Sequence, residues 1–389
     1  MHKKGLLLWL IILGMLAAGC SSGTPAPTPT PTRTPVPQVE PTAIPTPTAT
    51  STPETTASAF EVTPFPPDVD PLTGLKVEEP DNLNHTPLAI KVSNSPQVRP
   101  QSGLNEADLV FEHYAEGGIT RFTALFYGHY PQRVGSVRSA RLIDLEIPAM
   151  YQAALAFSGA SAGVKERMRN SDLFPDYLIA PDFGVGEPYF YRVPREGLAF
   201  EHTLFADPMA LRELVAQRGI DRRPDYPKLM AFSEQPPEGG EPVSAFEINY
   251  LTGICTAEWS YDETSGRWLR STAGEPQVDY LTNERISAAN VVMVYANHVE
   301  TDILEDTYGG GHYSIEIQVW GSGPVLIFRD GKMYNGIWKR EERHQMLTFY
   351  DGTGAPLPLK PGNSWIQLVP LGTAATKTGE TSYRFDPTP

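Results

Sequence analysis

Residues Glu116 to Arg141 read EGGITRFTALFYGHYPQRVGSVRSAR, and the rest of the chain is organised around them. A glycine break at Gly117 and Gly118 opens the stretch. The run Ile119 to Tyr127 that follows is dense in β-branched and aromatic residues and predicts a strand. GHYPQ, Gly128 to Gln132, has the length of a hairpin turn, so the second run is expected to fold back on the first. That hairpin brings Arg121 within about one register step of Arg138, with Arg141 just beyond. Like charges held together repel, so a negative group is expected beside them: the chain's own Glu112 and Glu116, or a bound anion.

Working outward, the strand-like LVFEHY of Leu109 to Tyr114 precedes this stretch, and period-two alternation puts Glu112 and Glu116 on the face opposite His113. SVRSARLIDLEIP follows it as a strand passing into a helix, with Ser136 or Ser139 available as N-cap and Pro148 either kinking that helix or starting a new one. Further helices are expected over Ser161 to Arg169 and Pro208 to Arg218. Helices and strands alternate without a regular βαβ period, which predicts a mixed α+β domain over residues 68–232. From Ser244 the pattern turns strand-rich, with turn signals every eight to twelve residues or so, and predicts a smaller β-rich antiparallel domain over 241–389. The tryptophans of this half, Trp259, Trp268, Trp320, Trp338 and Trp365, are expected in its core.

The start of the chain is an address. His2, Lys3 and Lys4 precede a short apolar run, and LAAGC then brings Cys20 directly after small residues. This resembles a bacterial lipoprotein signal, residues 1–19, in which the cysteine is acylated and anchors the protein on the extracytoplasmic face of the cell membrane. Residues 20–67 are dominated by Thr, Pro, Ala and Ser, as in TPAPTPTPTRTPVP. Too little apolar bulk is present to offset ordering entropy, so a disordered tether with polyproline II bias is expected, on the order of 140 Å long when extended at about 3.1 Å per residue.

Formal net charge over the 389 residues is −15, which excludes a general nucleic-acid binder; any anion site must be a local cluster of cations. The two cysteines, Cys20 and Cys255, exclude a disulfide framework, and Cys255 in TGICTAEW reads as a buried thiol. His113, His202, His298 and His312 form no ligand spacing, and no Walker A or dinucleotide fingerprint occurs, so neither a metal nor a cofactor is expected.

RPQSGLNEADLVFEHYAEGGITRF and VGSVRSAR, then GLAFEHTLF, FRDGKMYNGIWKR and LKPGNSWIQLVP, resemble the YerB-like lipoproteins, a bacterial family of unknown function. The resemblance spans nearly the whole chain after the tether and implies a fold and a location. His202 matches the family's histidine, while Glu201, Thr203 and Phe157 depart from its pattern.

Two functional readings follow. In the first, the chain is a binding or accessory module of the envelope, holding an anionic ligand or an envelope protein at Arg99, Arg121, Arg138, Arg141, Ser136 and Ser139, with Glu112, Glu116 and His202 as supporting or ion-pair partners. The bland counterpart is an internal ion network with Glu112, Glu116, Asp144 and Glu146. In the second, the chain is an envelope enzyme. Gly159-Ala160-Ser161-Ala162-Gly163 matches G-x-S-x-G, with Asp182 and His202 downstream in esterase order, although no oxyanion motif precedes it. The arginine-flanked hairpin also resembles, in pattern alone, LytR-CpsA-Psr transferases of phosphate-linked polymers.

Overall fold

The computed structural model describes residues 64–115, 118–250, 253–307 and 310–387. Cys20, Glu116 and the tether up to residue 63 lie outside the described residues.

Strand β2, Leu109–Ala115, pairs antiparallel with β3, Ile119–Phe126, in a register running from Leu109↔Leu125 to Ala115↔Ile119. The other edge of β3 pairs antiparallel with β1, Leu88–Ser93. The hairpin therefore closes between Ala115 and Ile119, and GHYPQ turns the chain away instead. The carboxylate of Asp108 accepts the amides of Tyr127 (2.6 Å) and Gly128 (3.2 Å), closing the end of β3. With both edges of β3 occupied, no ladder is left for the second run. Its short strand Val134–Gly135 pairs with Leu204–Ala206 in a separate three-stranded sheet.

β1, β2 and β3 are the middle of a twelve-stranded mixed sheet. Beyond β1 lie Ala154–Ala156 and Leu178–Ile179, each parallel to its neighbour. Beyond β2 lies Ser364–Pro370, and past it Asn290–Asp306, Gly321–Arg329, Lys332–Arg340 and Thr348–Tyr350. Ser364–Pro370 runs parallel to both β2 and Asn290–Asp306 and is buried throughout. Such a doubly covered strand carries apolar residues continuously, which is why SWIQLVP lacks clean alternation. This strand joins the two expected domains into one sheet, and residues 58–389 form one compact unit.

A second sheet, built mainly on Ala245–Ile248, Ala257–Asp262, Arg267–Thr272 and Ser382–Asp386, covers one face of the first. Phe246 stacks on Phe328 at 3.8 Å between ring centroids, and Trp259 meets Trp365 edge-on at 5.5 Å. Trp268 and Trp338 are also buried, whereas Trp320 is exposed. The opposite face is covered by a 3₁₀ turn, Leu142–Leu145, and by helices α1, Ile147–Tyr151, and α2, Ala162–Arg169. Helix α3, Pro208–Gln217, starts at Asp207, whose carboxylate accepts the Ala210 amide at 3.0 Å. Pro148 sits in the first turn of α1, the position where its missing N–H costs nothing.

The protein is thus mostly sheet, with helix confined to short covers. The C-terminal part is not purely antiparallel, since Ser364–Pro370 and Ser382–Asp386 both make parallel pairs.

Candidate functional site

The β1–β3 segment carries a separate charge network on each face. In the register, Lys91, Thr123 and His113 share one face with Arg121. Lys91 is fully buried and donates to Asp144 (2.7 and 2.9 Å), to Thr123 Oγ1 (3.0 Å) and to His113 Nε2 (2.5 Å). His113 Nδ1 lies 2.9 Å from the Tyr114 carbonyl, which accepts only. The proton therefore sits on Nδ1, leaving Nε2 as a lone pair toward the ammonium. Asp144 comes from the 3₁₀ turn, where its Oδ2 also accepts the Arg141 amide at 2.7 Å. Ser136 and Ser139 do not cap this turn, because Asp144 does so from inside it.

The electrostatics of this face are those of excess positive charge. Burial pushes the Lys91 ammonium down to about 8; Asp144 opposes the shift and Arg121 and Arg141 add to it. Burial, and then the charge of Lys91, holds His113 well below the usual imidazole range. For Asp144 burial works to raise the pKa, yet Lys91 and His113 outweigh it and the carboxyl stays below its ordinary value.

The arginines lie at the exit of this network. Arg121 donates to the Ser139 carbonyl at 2.8 Å. It reaches that segment because Val137 bridges Val92 and the Arg138 amide bonds the Lys91 carbonyl, placing residues 136–139 beside β1. The expected proximity of Arg121 to this segment is present, although its route is β1 rather than a hairpin. Arg141 Nη1 approaches Glu305 at 3.6 Å, from the far end of Asn290–Asp306. Arg138 Nη1 donates to the Glu201 carbonyl at 3.2 Å. Burial lowers the Arg138 pKa, Glu201 counteracts this, and Arg141 lowers it further. His202 is lowered by burial and then by Arg138, and its Nδ1 is buried without a hydrogen-bond partner. The hydroxyl of Ser136 is likewise buried and unpartnered.

Of the acidic residues weighed as internal partners, Glu112 and Glu146 are committed elsewhere. Glu112 faces the other side of the sheet and pairs with Arg270 at 2.9 Å, both side chains being fully buried. Its oxygens also accept from Thr120 (2.8 Å), Trp365 Nε1 (3.0 Å) and Gln367 (2.9 Å). Arg270 in turn lies over the rings of Phe122, Trp259 and Trp365 and donates to Gln277 at 2.7 Å. Glu146 pairs with Arg340 (2.7 Å) and Arg343 (3.0 Å). Reading Glu112 as a partner of Arg121 is therefore corrected: strand alternation had already set it opposite His113, and its cation comes from the second sheet.

Arg99 does not join the cluster either. It donates to the carbonyls of Asn94 (2.8 Å) and Ile254 (3.0 Å), and its own environment is set by burial and by Cys255, Arg270 and Glu112. Cys255 is buried, and burial raises its thiol pKa.

Ser161 is the N-cap of α2, its Oγ accepting the Val164 amide at 3.4 Å. Asp182 bonds Lys165 at 3.1 Å. The two glycines of the G-x-S-x-G pattern have steric reasons: a Cβ on Gly159 would stand 2.6 Å from Asp182 Oδ2, and one on Gly163 2.6 Å from Ile303 Cγ2. Lys91 and Arg270, the cations at the centres of the two networks, escaped the sequence reading. Lys91 is the one charged residue within a wholly buried run, whereas Arg270 stands on the buried face of an alternating strand that also carries Arg267.

The chain belongs to the DUF3048 family: residues 72–221 match "Protein of unknown function (DUF3048) N-terminal domain" and residues 246–366 match its C-terminal domain. It is 30% identical over 313 residues to "Putative lipoprotein YerB" of Bacillus subtilis, spanning 80% of this chain and 89% of that one. The crystal structure of the YerB protein from Bacillus subtilis superposes with a TM-score of 0.63 at 27% identity, over 78% of this chain and 96% of the other. The resemblance in RPQSGLNEADLVFEHYAEGGITRF and its companion segments is thereby borne out.

Proposed function

We propose that this family member is a lipid-anchored binding module of the cell envelope. Cys20 carries the acyl anchor, residues 20–67 act as the tether, and an anionic ligand is held where Arg121, Arg138 and Arg141 leave the central sheet. The observation that carries this reading is the state of Arg138. Its guanidinium is half-buried and its hydrogen bond goes to a neutral carbonyl, in the opposing fields of Glu201 and of a second arginine, Arg141. Beside it in the chain and across the small sheet, Ser136 Oγ and His202 Nδ1 are buried with no partner. A phosphate or carboxylate oxygen is the chemistry that satisfies a guanidinium, a hydroxyl and an imidazole N–H together. Glu112, Asp144 and Glu146, the described acids near in sequence, have their cations elsewhere.

Full-length protein carrying Arg138→Glu, with Arg138→Lys as the charge-conserving control, tests the ligand half. Capture of phosphate-linked envelope polymers should fall at least tenfold in the Glu variant with unchanged far-UV circular dichroism. Equal capture by all three proteins refutes it. Cys20→Ser should move the protein from the membrane fraction to the soluble one, and retention in the membrane refutes the anchor.

A further inference from the structure

The small three-stranded sheet gathers a second pair of arginines, apart from those that leave the central sheet. Its middle strand, Leu204–Ala206, pairs with Val134–Gly135 on one edge and Phe190–Arg192 on the other, so Phe205 lies between Gly135 and Tyr191. Period-two alternation sets Arg133 on the face of Gly135, and hence beside Phe205. The guanidinium carbon of Arg133 lies 5.2 Å from the Phe205 ring centre and 4.8 Å from that of Tyr280. Arg195, just beyond Phe190–Arg192, comes to the same two rings at 5.9 and 5.5 Å. Phe205 is buried, whereas Tyr280 is 51% exposed. Tyr280 arrives from the C-terminal segment: its amide donates to the Gln101 carbonyl at 2.7 Å, and Asp279 accepts the Asn105 amide at 3.1 Å.

Two guanidinium groups that share two rings repel each other, and an aromatic face attracts a cation without cancelling its charge. Among the described residues neither arginine forms an ion pair with a carboxylate, although the chain as a whole carries a net charge of −15. Asp207, which acts on the neighbouring Tyr191, is engaged as the N-cap of α3, and Glu196 is exposed and unpaired. Arg133 Nε is buried without an acceptor. We propose that Arg133, Arg195 and Tyr280 bind a sugar that carries a phosphate monoester. A carboxylate occupies one guanidinium through a two-pronged bond, whereas a phosphate monoester brings about two negative charges and three acceptor oxygens, enough for both arginines. The exposed Tyr280 ring supplies an apolar platform for the sugar ring, with a hydroxyl at its edge. Arg138 stands past the other end of Val134–Gly135 and meets the Glu201 carbonyl, so this site is separate from the anion site proposed above. The sequence hid it because Tyr280 lies far along the chain from both arginines.

Calorimetric titration of the full-length protein with glucose 6-phosphate, inorganic phosphate and glucuronate, with thermal unfolding alongside, tests the site. Glucose 6-phosphate should bind most tightly of the three. Arg195→Gln, and Arg133→Gln combined with it, should weaken that binding by about tenfold or more. Arg195 belongs to a turn rather than the core, so the single variant serves if the double one does not fold. Tyr280→Ala should weaken glucose 6-phosphate by about threefold or more yet leave inorganic phosphate unchanged, a split that a merely structural ring would not produce. At about 0.15 M salt, where charges are screened beyond about 8 Å, Arg138→Glu should leave glucose 6-phosphate binding intact. Neither heat nor Tm change with glucose 6-phosphate overturns the proposal, as does equal affinity in wild type and Arg195→Gln. Tighter binding of glucuronate overturns the choice of phosphate, and an equal affinity of Tyr280→Ala overturns the role of the ring. Equal losses in Arg138→Glu and Arg195→Gln overturn it by placing the phosphate at Arg138.

Discussion

Arg270 and Glu112 offer the sharpest test of how this fold is held together. They bring residues from the two family-matched segments into one buried pair, at 2.9 and 3.0 Å from Arg270 Nη2 to the two carboxylate oxygens. Replacing Arg270 by Ala leaves the Glu112 carboxylate enclosed, with the donors Thr120, Trp365 and Gln367 but no cation. Breaking one side of a buried pair costs about 3–5 kcal/mol. The lost stacking over three rings adds about 1 kcal/mol. A total of about 4–6 kcal/mol is thus expected for Arg270→Ala. Arg270→Met in combination with Glu112→Gln removes both charges and retains the volume, so about 2 kcal/mol or more should be recovered relative to Arg270→Met alone. Urea unfolding followed by both tryptophan fluorescence and far-UV circular dichroism is the assay. Because Ser364–Pro370 joins β2 to the C-terminal strands, both probes should shift together in a single transition. A loss under 1 kcal/mol for Arg270→Ala, or a double mutant whose losses simply add, refutes the energetic argument. A transition that splits, with only one phase moved, refutes the coupling of the two segments.

Two further outcomes are expected. Burial holds the folded-state pKa of His113 well below its unfolded value of 6.5, so below that pH the unfolded chain takes up a proton that the folded one does not. The His113 contribution is then lost as pH falls, by about 1.4 kcal/mol per pH unit, and the stability gap between wild type and His113→Gln should narrow with that slope from pH 6.5 to pH 5 in urea titrations; a gap independent of pH refutes it. Gly163→Ala should destabilise by about 1–2 kcal/mol even though alanine is the better helix former, because its Cβ meets Ile303 Cγ2 at 2.6 Å. Truncating Ile303 to Ala in the same protein should cancel most of that loss, and a stabilising Gly163→Ala refutes the packing account.

Local signals gave much of the secondary structure directly. Pro148 at the start of α1, Ser161 before α2 and Asp207 before α3 act through backbone groups a few residues away, so sequence spacing suffices to place them. Alternation likewise set Glu112 opposite His113, because strand periodicity is a property of the backbone. Family membership was readable in the same way, from segments such as GITRF and FRDGKMYNGIWKR.

Only the tertiary structure decided the rest. GHYPQ has hairpin composition, yet β1 and β2 already occupy both edges of β3, and strand pairing is a competition that no single segment reports. The unity of the central sheet depends on Ser364–Pro370 entering between two strands far from it in the chain, with pairs such as Asn290↔Ser364 and Leu109↔Ser364. The same holds for charge. The sequence posed the question of what neutralises the arginines around Arg138, and it placed Glu112 nearby. Which cation meets which carboxylate is set by the face and layer each occupies, and there Glu112 met Arg270 from the second sheet and Asp144 met Lys91. Coulomb energies in a low dielectric are decided over a few ångströms, a distance that chain separation does not encode.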